Sequence, residues 1–166
     1  TGATFQPRLP AHKGIWALGF SPACDQFAFA IVVGSQVMLG VICVSDGALR
    51  LHRRVSFNAR FLTPLFAHRV GRWCTDGRTL ICRTILSRRS RSALTKRVVN
   101  TWDATTQGLG KSLTEFSPDD IALIRRYCSS SLAAVDSRTG SVRTLGVSGL
   151  VCDARPSPDQ RFLCVT

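Results

Sequence analysis

The sequence predicts an all-β chain assembled from repeated antiparallel units, and three observations carry that prediction. Ser21-Pro22-Ala23-Cys24-Asp25-Gln26-Phe27-Ala28-Phe29 and Ser157-Pro158-Asp159-Gln160-Arg161-Phe162-Leu163-Cys164-Val165 align without a gap. Each opens on Ser-Pro, where the proline ring pre-sets the backbone of a tight turn. Each then alternates apolar residues, Phe27 and Phe29 in one copy, Leu163 and Val165 in the other, which is the period of a half-buried strand. A third, looser copy lies between them, Trp73-Cys74-Thr75-Asp76-Gly77-Arg78-Thr79-Leu80-Ile81-Cys82, with Asp-Gly as its hairpin signal. Strand–turn–strand units recurring at long spacing are the pattern of propeller blades, so a partial β-propeller of two to three blades is expected. The sequence stops inside the strand of the last copy, and on that ground the chain is expected to be a piece of a larger protein.

In chain order, Thr1 to Lys13 contains Pro7 and Pro10 and reads as an incoming strand or linker. Ile15 to Phe20 is a first strand with Trp16, Leu18 and Phe20 on one face. Phe27 to Val33 follows the Ser-Pro turn, Gly34-Ser35 turns the chain, and Gln36 to Val44 makes a third strand. Ser45-Asp46-Gly47 leads into a fourth, Ala48 to His52, which completes a blade over 14–57. A second blade over 69–146 opens at Arg69 to Trp73 and crosses Asp76-Gly77 into Thr79 to Ile85. An insertion over 86–128 interrupts it, beginning with the basic, aperiodic Ser87-Arg88-Arg89-Ser90-Arg91-Ser92. Phe116, Ile121, Ile124 and Tyr127 then have helical spacing, with Ser117 as N-cap and Pro118 at the first helical position. The rival reading makes Ser117-Pro118-Asp119-Asp120 another blade turn. Ser131 to Asp136 resumes the blade, and Ser137-Arg138-Thr139-Gly140 closes a hairpin with Ser141 to Leu145, parallel to the hairpin at Val44 to Gly47. A further blade begins in 149–166.

Composition narrows the functional classes. At 45% hydrophobic and 19% charged the chain is globular, not disordered. Its 22 Lys and Arg against 10 Asp and Glu leave a net charge of +12. That surplus fits either an acidic partner or a fragment separated from its acidic complement. No pair among the seven Cys has the two-residue spacing of a zinc knuckle or redox motif, and most sit in or beside apolar runs, as small buried hydrophobes do. A reducing compartment, cytoplasm or plastid stroma, is the expectation. Phe27 to Val44 is the longest apolar stretch, and Gly34, Ser35, Gln36 and Gly40 break it short of the ~20 residues a membrane span needs.

Four stretches resemble the propeller part of prolyl oligopeptidase family serine peptidases, most closely the glutamyl endopeptidases of plastids and their bacterial relatives. They are Thr1-Gly2 followed by Ile15-Trp16 and the Ser-Pro turn, Trp73 to Arg88, Arg126-Tyr127-Cys128-Ser129-Ser130-Ser131-Leu132-Ala133, and Pro156-Ser157-Pro158-Asp159. Ala23-Cys24 departs from the family's Asp-Gly after the first Ser-Pro, and the insertion is more basic than in relatives. The resemblance implies a substrate-gating propeller acting on peptides, with a Ser-His-Asp α/β-hydrolase domain elsewhere in the parent as its partner.

The chain itself has no Gly-x-Ser-x-Gly, the turn that exposes a hydrolase nucleophile. Gly34-Ser35 and Ser148-Gly149 are poor look-alikes. His12, His52 and His68 read as ordinary surface or strand-end histidines, since a catalytic His needs a nucleophile on one side and a carboxylate on the other. No metal-ligand spacing, Walker pattern or Gly-x-Gly-x-x-Gly calls for a metal, nucleotide or other cofactor. The candidate anion-binding residues are Arg88, Arg89 and Arg91, with Arg83, Lys96 and Arg97 in the same run and Arg50, Arg53 and Arg54 in a second cluster. No aromatic residue lies between Arg83 and Arg97 to stack bases, so nucleic acid is the less expected partner and a solvated insertion the plainer reading. For Trp16 and Trp73, strand position favours blade packing over ligand stacking. Two functions therefore stand: the gating propeller of a serine peptidase, or a non-enzymatic basic module that binds an acidic partner or nucleic acid.

Overall fold

The computed structural model describes residues 6–58, 70–85, 122, 125 and 128–166. It is all-β in its assigned elements, with three antiparallel sheets, none closed into a barrel. The first sheet is a four-stranded meander of β1 (Gly14–Phe20), β2 (Gln26–Val33), β3 (Gln36–Cys43) and β4 (Leu49–His52) in sequence order. The second repeats that order with β5 (Gly71–Trp73), β6 (Thr79–Thr84), β7 (Ser130–Asp136) and β8 (Val142–Gly149). The third is the hairpin of β9 (Ala154–Pro156) and β10 (Leu163–Val165).

The three copies of the turn motif share one backbone geometry. Ser21, Cys74 and Ser157 each donate their N–H to the carbonyl five residues on, in Gln26, Thr79 and Phe162, at 2.8–2.9 Å. Their carbonyls each accept the N–H three residues on, from Cys24, Gly77 and Gln160. Those three residues all have positive φ, at 56°, 64° and 59°. Glycine meets that conformation without strain, whereas the side chains of Cys24 and Gln160 do not. The two closing hairpins are equivalent in the same way: Gly47 and Gly140 donate to Cys43 and Asp136, whose own N–H groups go to Ala48 and Ser141.

The sheets stack face to face, and equivalent strand positions face the same way in each. Leu80 and Cys82 of β6 pack toward the first sheet, joining Ala28, Ala30, Val37, Leu39 and Val41 in one apolar core. Ile81, Leu132 and Ala134 pack the other face of the second sheet against Ala154, Leu163 and Val165 of the third. In register with the turns, Phe27 and Phe29, Leu80 and Cys82, and Leu163 and Val165 are one set of positions; in the second and third sheets they face the preceding sheet, and in the first they lie on the face away from the second sheet. Ala28, Ile81 and Cys164 are the other set, on the opposite face of their strands. Each fully buried aliphatic side chain here contributes about 1.5–3 kcal/mol. The crossing from first to second sheet laces them together, with Phe57 bridging Thr84 and donating its N–H to Val37.

Several expectations are corrected. β2 is not half-buried: Ala28, Ala30 and Ile31 are fully buried and Phe29 nearly so, so this strand is buried on both of its faces. Trp16 and Leu18 pack in the core, but Phe20 does not share their face. A β-bulge between Ala17 and Gly19 inserts a residue and turns Phe20 over. Phe20 is 57% exposed, its ring 4.8 Å from that of Phe27. β8 runs to Gly149, four residues beyond the predicted Leu145. Gly40 lies opposite Phe29, whose ring occupies the space a Cβ would need. The expected helix, with Phe116, Ser117, Pro118, Ile121, Ile124 and Tyr127, lies outside the described residues. Ala122, Arg125 and Cys128 within that stretch have helical conformation.

Candidate functional site: inter-sheet polar contacts

The polar chemistry of the described residues concentrates in the turns and at the seams between sheets. Every described Asp is held by its own turn or seam. Asp25 accepts from Ser21 Oγ at 2.6 Å, Asp46 from the Ala48 N–H, and Asp159 from Ser157 Oγ and the Arg161 N–H. Asp76 accepts from the Arg78 and Thr79 N–H groups and Thr79 Oγ1. Asp136 accepts from the Arg138 and Thr139 N–H groups and from Arg78 Nε at 2.6 Å. Burial alone would raise the Asp136 pKa; the Thr139 N–H, the Arg78 guanidinium and the Arg138 N–H outweigh it and hold it down at about 2.

Asp153 sits at the seam of the second and third sheets. It accepts from Arg155 Nε at 2.7 Å and the Ala154 N–H, with Arg72 at 3.5 Å. Burial opposes ionisation there too, but the Arg155 hydrogen bond, the Ala154 N–H and the Arg72 charge lower its pKa. The same seam takes Arg83, 1% exposed, whose Nη1 donates to the Cys152 carbonyl at 2.8 Å. Arg83 is thus a buried seam residue and not part of a solvated phosphate-binding run. Its place on β6 points it at the third sheet, alongside Leu132. Arg88, Arg89, Arg91, Lys96 and Arg97 lie outside the described residues.

The turns also join sheet to sheet. Gln26 Nε2 donates to the Gly77 carbonyl at 3.2 Å, Thr75 Oγ1 to the Pro158 carbonyl, and Gln160 Nε2 to Thr75 Oγ1. Trp73 Nε1 donates to the Gly19 carbonyl at 3.0 Å, and Trp16 and Trp73 pack against the first core, as their strand positions predict. At the base of the insertion, Asn58 donates to the Ser129 carbonyl and Ser130 Oγ, and the Ile85 N–H to Ser56.

His52 stands at a strand end, as its sequence reading has it, but is buried rather than on the surface. It is 8% exposed, and its Nε2 donates to the Ser137 carbonyl at 2.8 Å, so β4 docks on the closing turn of the second sheet. Gly140 lies against the ring so closely that a Cβ there would collide with Nδ1. His12 is exposed and bonded to the Pro10 carbonyl; His68 and Trp102 lie outside the described residues. Ser35 stands in the exposed turn before β3. Neither His12 nor His52 is hydrogen-bonded to a carboxylate, so the described residues assemble no Ser-His-Asp relay.

The cysteines are also less uniform than expected. None of the seven is in a disulfide, but only Cys74 and Cys82 are buried; Cys24, Cys152 and Cys164 are exposed. Burial pushes the Cys74 thiol up to about 11, with the nearby Asp76 adding to the effect, and raises Cys82 further. Cys164 is exposed because it alternates with Leu163 and Val165 on a strand whose outer face has no described neighbour. No group of three or more His, Cys, Asp or Glu among the described residues is placed to hold a metal. No helix among them is long and apolar enough to cross a membrane.

Comparison with known proteins adds no closer assignment: no family model matches the chain, and none of the curated proteins compared with it matches.

Proposed function

We propose that this chain is the propeller portion of a serine peptidase of the prolyl oligopeptidase family, most like a glutamyl endopeptidase. In this reading it screens peptide substrates while an α/β-hydrolase domain of the parent performs the cleavage. The observation that carries the propeller part is the equivalence of the three units. Phe27, Leu80 and Leu163 hold the same position after the same turn, and Leu80 and Leu163 pack toward the preceding sheet, as successive blades do. The family assignment rests on the sequence resemblance.

The test is chemical. A fluorophosphonate probe labels the full-length polypeptide, which carries a Gly-x-Ser-x-Gly elbow and cleaves a Glu-containing peptide; the isolated chain does neither. Active-site-titratable cleavage by the pure chain, or a full-length polypeptide without a serine hydrolase domain, overturns the proposal.

A second reading, a basic module that binds an acidic partner, is favoured by the charge distribution. The ion pairs among the described residues engage Arg72, Arg78 and Arg155, and leave Arg50, Arg53, Arg54, Arg138 and Arg143 outside them. Binding to an acidic peptide that weakens steeply as salt rises supports that function, and binding indifferent to salt removes it.

A further inference from the structure

We propose that the docking of His52 on the second sheet builds a cationic patch that binds an extended acidic peptide segment. The inference deepens the second reading above and rests on it. Its basis is a juxtaposition that no stretch of sequence contains. Arg53 and Arg54 follow His52 directly, and Arg138 follows Ser137, the residue whose carbonyl His52 holds at 2.8 Å. All three arginines are exposed. None enters an ion pair among the described residues, and the nearest acid in the turn, Asp136, is already bonded to Arg78. With Cα atoms 3.8 Å apart along the chain, the contact brings the three within a span on the order of 10–15 Å.

That span suits an extended segment. Alternate side chains of a strand lie about 6.5–7 Å apart on one face, so acids at alternating positions meet two or three of these guanidiniums. The patch is set by backbone on both sides. Gln36 Nε2 donates to the Arg53 carbonyl at 2.8 Å, and Ser137 donates its N–H to the Arg78 carbonyl. The close approach depends on Gly140 having no Cβ. An acidic peptide is favoured over nucleic acid because base recognition on single strands needs exposed aromatic platforms. The exposed aromatics among the described residues, Phe20 and Phe162, stand instead on β1 and beside β10.

The experiment measures fluorescence anisotropy of a labelled peptide of about a dozen residues with Glu at alternate positions, at low and at physiological salt. Neutralising the patch with Arg53→Gln, Arg54→Gln and Arg138→Gln together weakens binding by about tenfold. Removing the same charge elsewhere, with Arg8→Gln, Lys13→Gln and Arg161→Gln, changes it by less than about twofold. His52→Ala keeps every arginine and still weakens binding, because the two halves of the patch separate; if that variant does not fold, the glutamine variants decide. Equal losses from the two triple variants overturn the patch while leaving a diffuse basic module standing. Tighter binding to duplex DNA than to the peptide at matched salt also overturns it. No binding of the peptide by the unsubstituted chain overturns both the patch and the reading beneath it.

Discussion

The first and last turn–strand units carry the same local structure in different surroundings. In Ser21–Phe29 and Ser157–Val165 the serine closes the same turn, the residue three positions on has positive φ, and the strand leaves in the same direction. Yet Ala28 is fully buried, and Cys164, its equivalent, is exposed. Phe29 is 2% exposed under cover on both faces of β2, whereas Val165 is half-buried on a short edge strand. The turn is a matter of local chemistry. The depth of the strand depends on whether a layer stands on each side of it.

The largest contrast expected is in thiol reactivity. Cys24 and Cys164 should react with an aromatic disulfide reagent within the mixing time of a simple assay, while Cys82 reacts only when the chain unfolds. Mass spectrometry of partially labelled protein checks the order. Fast labelling of Cys82 would break the layered packing, and a protected Cys164 would mean that its face is covered after all.

Core truncation separates the two strands next. Phe29→Ala should cost about 3–5 kcal/mol by urea denaturation, since the ring fills a closed space. Val165→Ala should cost about 1 kcal/mol or less, because its site already opens to solvent. Similar losses at both positions would remove the difference on which the comparison rests.

Gly40→Ala sharpens the same point. The new Cβ meets the Phe29 ring and should cost about 1–3 kcal/mol through overpacking. Combined with Phe29→Leu it should cost less than the sum of the single changes, and a double-mutant cycle measures that coupling. Strict additivity would show that the two residues do not touch.

The turns predict equal effects where the strands predict unequal ones. Cys24→Gly and Gln160→Gly relieve the same positive φ and should each stabilise the chain by about 0.5–1 kcal/mol. A gain at one copy alone would deny that the turns are equivalent.

The smallest effect is a pH dependence from an acid that the last turn carries and the first turn lacks at the same position. Asp159 is held below the usual carboxylate range by the Ser157 hydroxyl and the Arg161 N–H, and Ala23 stands at its position in the first turn. A lowered folded-state pKa contributes stability that is complete above the ordinary carboxylate range, near pH 4, and is lost as pH falls through the folded value. The protection of the Phe162 amide, its exchange relative to the unfolded chain at the same pH, should therefore fall below about pH 4 in the unsubstituted chain. In Asp159→Asn the acid-dependent part of that change disappears.

The sequence by itself determined the units of this protein. Ser-Pro and Asp-Gly placed the turns, period-two alternation placed β2, β3, β6 and β10, and Thr-Gly placed the closing hairpin of the second sheet, because these signals act over a few bonds. The same locality made Trp16 and Trp73 readable as packing residues. Only the tertiary structure decided which faces lie between layers. Periodicity assigns residues to a face but not a neighbour to that face, so β2 read as half-buried although it is covered twice. The bulge that turns Phe20 outward depends on pairing with β2 and leaves no short-range mark. Arg83 and His52 are polar residues whose burial depends on carbonyl partners 69 and 85 residues away, Cys152 and Ser137. A hydrogen bond across that separation exists only once the sheets have stacked, which is why neither the buried arginine nor the arginines gathered around His52 could be read along the chain.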